Sequence, residues 1–147
     1  MRRKIMKKII SLITLISLLA TLLTGCGKIN VDKSVEALEA KGFTEYITYK
    51  SEADLFDATE RINMEIEYLG GDFTVEIVGY TSLMQEWNAL KNVQFITFSR
   101  KSEAAAYAEL YLSKRDDYDN TKIAQKGKVV VITTTDAVEV ILNLDFK

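Results

Sequence analysis

The 147-residue sequence predicts an α+β fold, with a strand, helix, strand, strand, helix, strand core and an extra helix at each end. Three observations carry this expectation. Short stretches alternate apolar and polar residues, as Phe73, Val75 and Ile77 do against Thr74 and Glu76. Longer stretches repeat one face every three or four residues, as at Leu55, Thr59, Ile62, Ile66 and Leu69. Caps and glycines punctuate both kinds: Ser51, Ser102 and Thr135 open helices, and Gly42 and the pair Gly70, Gly71 end them.

Taken in order, residues 27–31 have no period and form a short tether, without a long Ser/Gly-rich linker. Asp32 caps a short helix on Val35, Ala37 and Leu38 that Gly42 closes. Residues 43–50 set Phe43, Glu45, Ile47 and Tyr49 against Thr44, Tyr46 and Thr48, which predicts a strand. Ser51, with Asp54 three residues on, approximates a capping box and opens a helix over 52–69. Within it Met64, Ile66 and Tyr68 also alternate with Asn63, Glu65 and Glu67, so a hairpin through Gly70 and Gly71 stays open as an alternative. Helical spacing holds over four turns and alternation over six residues, which favours the helix.

Residues 72–80 predict a strand, 81–91 have no clear period and hold Trp87, and 93–99, with Phe95 and Phe98, predict a second strand antiparallel to the first. Ser102 caps a helix whose stripe is Ala104, Ala105, Tyr107, Ala108, Tyr111 and Leu112, ending near Ser113. After a polar loop at 116–120, residues 121–125 and 128–133 form a hairpin through Lys126 and Gly127. Its second arm is apolar on both faces at 129–132 and is therefore central. Thr135 caps a last helix through Val138, Ile141 and Leu142. This order is that of a ferredoxin-like split βαβ sandwich (a βαββαβ core), with helices on one face of four or five mostly antiparallel strands and residues 32–147 as a single domain.

The leader is distinct from this body. Residues 1–8 carry Arg2, Arg3, Lys4, Lys7 and Lys8 and no acid, and residues 9–23 are Ile, Leu, Ala, Ser and Thr only. Those 15 residues suit a signal-peptide core, whereas a spanning helix needs roughly 20. Leu23, Thr24, Gly25 and Cys26 resemble, position by position, the lipobox of bacterial lipoproteins. The resemblance implies that residues 1–25 are a cleaved signal peptide recognised through Leu23, Thr24 and Gly25. It also implies that Cys26 takes a diacylglyceryl group on sulfur and begins a lipidated tether over 26–31. Two acyl chains anchor stably where one binds reversibly. The alternative is an uncleaved anchor helix over residues 5–23, which tethers the body to the same outer face. The body itself resembles small bacterial lipoproteins of this layout at residues 37–43, at Lys126 to Val129 and at residues 134–138. That resemblance implies a fold and an address, with no activity to carry over.

Removing the five basic leader residues leaves 14 Lys plus Arg against 21 Asp plus Glu, a formal charge near −7. Such a body is a poor nucleic-acid binder and is repelled by anionic lipid headgroups, so the anchor must do the holding. The chain has no histidine and one cysteine. A Ser, His, Asp triad, a Cys and His pair, imidazole ligands for zinc and an internal disulfide are all excluded.

Few residues point to chemistry. Asp116, Asp117, Asp119 and Asn120 offer hard oxygen ligands, but the glycine and the distant Glu of a calcium loop are missing, so a solvated turn is the better reading. Glu65 with Glu67, or Asp54 with Glu60, would act as an acid and base only if they converged in a cleft. Tyr46, Tyr49, Tyr80, Trp87, Phe98, Tyr107 and Tyr111 suit contact surfaces as well as cores, and Trp87 and Tyr80 are the candidate partner contacts.

No catalytic residue, metal or cofactor is assigned. The expectation is a non-catalytic, extracytoplasmic interaction or sensing domain that offers an open sheet face, an edge strand or the Trp87 loop to a protein or envelope component. The alternative is a small carboxylate-based ligand or metal binder or hydrolase. It requires two or more acids gathered in one concavity with raised proton affinity, where the first requires an aromatic patch without them.

Overall fold

A computed structural model describes residues 27–114 and 120–147; the leader, Cys26 and Asp116, Asp117 and Asp119 lie outside the described residues. The elements are α1 (Val31–Glu39), β1 (Phe43–Tyr49), α2 (Glu52–Tyr68), β2 (Ile77–Gln85), β3 (Asn88–Phe98), α3 (Lys101–Lys114), β4 (Lys122–Lys126), β5 (Val129–Thr133) and α4 (Asp136–Leu142). The α+β expectation is met: the strands form one five-stranded sheet in the order β1-β2-β3-β5-β4, every neighbouring pair antiparallel.

That order departs from the ferredoxin-like expectation. A split βαβ interleaves its strands so that the first and third lie parallel, whereas here β1 pairs with β2, its successor in the chain, across the α2 connection. The helices also cover both faces, where one was expected. On one face α2 and α3 pack over Ile77, Ile96, Phe98, Ile123, Val130 and Ile132. On the other, α1 and α4 meet each other over Phe43, Leu83, Val93, Phe95, Val129 and Val131. Strand side chains alternate between faces, so β3 supplies Val93 and Phe95 to one core and Ile96 and Phe98 to the other. An exposed open sheet face is therefore not available to a partner. As expected, β5 is central and buried along its whole length.

Local chemistry explains the boundaries. Helix α1 is capped by Asn30, whose Oδ1 accepts the Lys33 amide at 3.1 Å, so the expected cap Asp32 lies inside the first turn. Ser51 caps α2 by accepting the Asp54 amide at 3.1 Å. The helix runs through residues 62–68, and the hairpin alternative falls. It ends as the glycines predict: Gly70 donates to Glu67 O and Gly71 to Ile66 O, with Gly70 at φ +82°.

Strand β2 begins at Ile77, five residues after the expected start. In the segment before it the backbone of Val75 is held by a helix side chain. Asn63 Nδ2 donates to Val75 O at 3.1 Å, Val75 N donates to Asn63 Oδ1 at 2.8 Å, and Ile77 N donates to Thr59 Oγ1. Strands β2 and β3 then extend through the stretch that showed no period.

Ser102 lies inside α3 and does not cap it. The buried Glu103 organises that end, accepting Ser99 Oγ at 2.8 Å, the Arg100 amide at 3.2 Å and the Arg100 guanidinium at 2.9 and 3.1 Å. Burial pushes its carboxyl up, but these hydrogen bonds outweigh burial and hold it below the ordinary value. Thr135 caps α4 as expected.

Candidate functional site

The sheet presents two features with no evident structural purpose: a hairpin tip at one end and a cleft on the α2–α3 face. The tip joins β2 to β3. Gln85 pairs with Asn88, so the loop is the two residues Glu86 and Trp87, and both sit in the left-handed region at φ +54° and +55°. A two-residue turn of this kind matches the twist of the strands and favours Asn-Gly, because a side chain at positive φ crowds its own backbone. This sequence places a glutamate and a tryptophan there. Trp87 is 72 % exposed and so gains little from burial. The register then jumps from Gln85 opposite Asn88 to Met84 opposite Asn92, and the looped-out segment carries Leu90, which is 80 % exposed. That loop is pinned by Leu90 N donating to Asn88 Oδ1 and by Thr134 Oγ1 donating to Leu90 O. The result is a braced tip with two large apolar side chains in solvent.

The cleft, about 450 Å³, is walled by Arg61, Ile62 and Glu65 of α2 and by Tyr107 and Tyr111 of α3; its floor includes Tyr80, Gln94 and Ile132 of the sheet. Glu65 is half-buried, and Tyr107 Oη donates to its Oε2 at 3.2 Å. Burial raises its carboxyl above the ordinary carboxylate value, and the Tyr107 bond offsets only part of this. Tyr107 is buried and pushed well above the usual tyrosine range, first by burial and then by the Glu65 charge. Arg61 lies over the Tyr49 ring at 5.4 Å, and Tyr49 stacks on Tyr80 at 5.1 Å. Burial also raises Tyr80, and the nearby Arg61 partly opposes it. A larger depression of about 590 Å³ beside β4 has no aromatic side chain in its lining among the described residues.

No family model, no curated protein and no solved structure matches this chain. The sites must be read from their own geometry.

Of the residues singled out in the sequence, Trp87 is the exposed tip. Tyr80 sits five positions back from Gln85 on β2 and lines the cleft, so the two form no common patch. Glu67 is exposed while Glu65 turns into the cleft, as expected for helix residues about 200° apart. Asp54 and Glu60 line a shallow surface depression with Asp57. Among the described residues Glu65 is the only acid lining the cleft, and no three Asp, Glu or Cys side chains gather to hold a metal.

Tyr49, Tyr80, Phe98, Tyr107 and Tyr111 pack around the cleft or beneath it, with Tyr46 partly exposed on edge strand β1. Sequence reasoning missed Leu90, Arg61 and Gln94. Arg61 and Glu65 stand four apart on one helix, a spacing that could have flagged them; nothing in the sequence marks Leu90 or Gln94.

Proposed function

We propose that this chain is a membrane-tethered extracytoplasmic lipoprotein. Its body is a non-catalytic interaction domain that presents the Trp87–Leu90 tip to a protein or another envelope component. The lipobox-like run ending at Cys26 supports the tether, and the acidic body supports an anchor made of acyl chains in place of a basic surface.

One observation carries the choice of surface. Gly27, the first described residue, lies against Gly127 in the β4–β5 turn, and β5 pairs with β3 so that Val129 faces Thr97, at the far end of β3 from Asn88. The 11 residues of β3 span roughly 35 Å at about 3.3 Å each. The tethered end and the tip therefore sit at opposite ends of the sheet, and a body held at Cys26 carries Trp87 away from the bilayer. Exposed apolar side chains on a strained, braced turn, placed at that distance, are what a contact surface requires.

Two measurements test this reading. Growth with an alkyne-bearing palmitate analogue labels the chain, and the label is lost in Cys26→Ser; an unlabelled chain recovered from the cytosol refutes the tether. Crosslinking on intact cells captures a partner that Trp87→Ala loses; unaltered capture by that variant refutes the tip.

A further inference from the structure

The cleft points to a ligand separate from the tip's partner. Arg61 and Glu65 are one helical turn apart, with Cβ atoms at about 5–6 Å, close enough for an ion pair. They form none: Arg61 has no ion pair among the described residues, since its guanidinium lies over Tyr49 while the Glu65 carboxyl is drawn inward by Tyr107. Opposite them, the Tyr80 hydroxyl and the Gln94 side chain make no side-chain hydrogen bond among the described residues and are open to solvent. Two unlike charges, Arg61 exposed at the rim and Glu65 half-buried, thus have separate aromatic partners beside a cleft lined by the solvent-accessible polar groups of Tyr80 and Gln94 and by the apolar Ala58, Ile62 and Ile132.

We propose that this gap is a binding site for a free α-amino acid with an apolar or aromatic side chain. Its carboxylate lies on Arg61, its ammonium on Glu65 and its side chain against the Ile62 and Ile132 wall. A purely anionic ligand meets the Glu65 carboxylate, and a purely cationic one meets Arg61. A zwitterion meets a complement at each end. The raised proton affinity of Glu65 agrees, because a half-buried carboxylate without a cation is an incomplete ion pair.

The test is titration calorimetry on the full chain in detergent micelles, using L-leucine and L-phenylalanine, N-acetyl-L-leucine (no ammonium), L-leucinamide (no carboxylate) and glucose. At least one free amino acid binds, each blocked analogue binds at least tenfold more weakly, and Glu65→Gln and Arg61→Gln each lose at least tenfold while keeping the far-ultraviolet circular dichroism of the parent. Absence of heat with both free amino acids overturns the proposal, as does equal binding of the blocked analogues, binding of glucose in their place, or affinity unchanged in both variants. Trp87→Ala binds the amino acid like the parent, so a failure of the tip and a failure of the cleft are read separately.

Discussion

Replacing Glu86 and Trp87 by Asn and Gly tests whether the tip exists for folding or for contact. Each non-glycine residue in the left-handed region costs about 1–2 kcal/mol, so relieving both positions returns roughly 2–3 kcal/mol, with asparagine recovering only part of its share. Against this stands the surface that Trp87 covers. At 72 % exposed it hides about a quarter of a side chain of roughly 250 Å², close to 70 Å², worth at most about 1.7 kcal/mol at ~25 cal/mol per Å². Glycine adds about 0.5–1 kcal/mol of chain entropy to the cost. The two sides nearly cancel, and the double variant keeps its parent's stability within about 1 kcal/mol. For comparison, Phe95→Ala in the core, where Phe95 is 1 % exposed, costs about 3–5 kcal/mol. Urea unfolding followed by far-ultraviolet circular dichroism measures both. A loss above about 2 kcal/mol in the turn variant means that Trp87 is a packing residue, and the assignment of the tip as a contact surface fails.

Two further substitutions probe the supports of the cleft face. Asn63→Ala leaves the amide and carbonyl of Val75 without their partners and costs about 2–4 kcal/mol in the same unfolding assay; a loss below about 0.5 kcal/mol shows that water replaces both bonds. Glu65→Gln removes a carboxyl that holds its proton more tightly in the folded chain than in the unfolded one. Its ionisation therefore costs stability as pH rises from about 4.5 through the folded value, and the penalty is complete above that. The variant, whose amide oxygen still accepts from Tyr107, melts higher than the parent at pH 7 and at the same temperature at pH 4; a lower melting temperature at pH 7 refutes the account.

What was readable in the sequence was local. The α2 register, its Ser51 cap and glycine stop, the burial of β5 and the Thr135 cap all depend on residues within a few positions of one another. Two errors were local, Asp32 and Ser102 being cap-type residues that stand inside the first turn, and the larger ones arose where partners are distant. Phe73 and Val75 alternate as a strand does, yet alternation reports one-sided burial and not which groups hold the backbone; here Asn63, 12 residues before Val75, does so. The covering of both faces was signalled by apolar residues at both parities of β3, Val93 and Phe95 beside Ile96 and Phe98, a pattern that a sheet with one solvated face does not need. The cleft was not legible, because the contact that shapes it joins Glu65 to Tyr107 across 42 residues.

The division of helices between the faces has a mechanical consequence. The pair α1 and α4 comes from the two ends of the described chain and forms one layer, while α2 and α3 come from its interior and form the other. A pull applied at residue 27 acts first on the segment that leads into α1 and on the Gly127 turn that it lies against. The cleft and the Trp87 turn lie beyond the strands from that point, so they are the parts of the body mechanically most remote from residue 27.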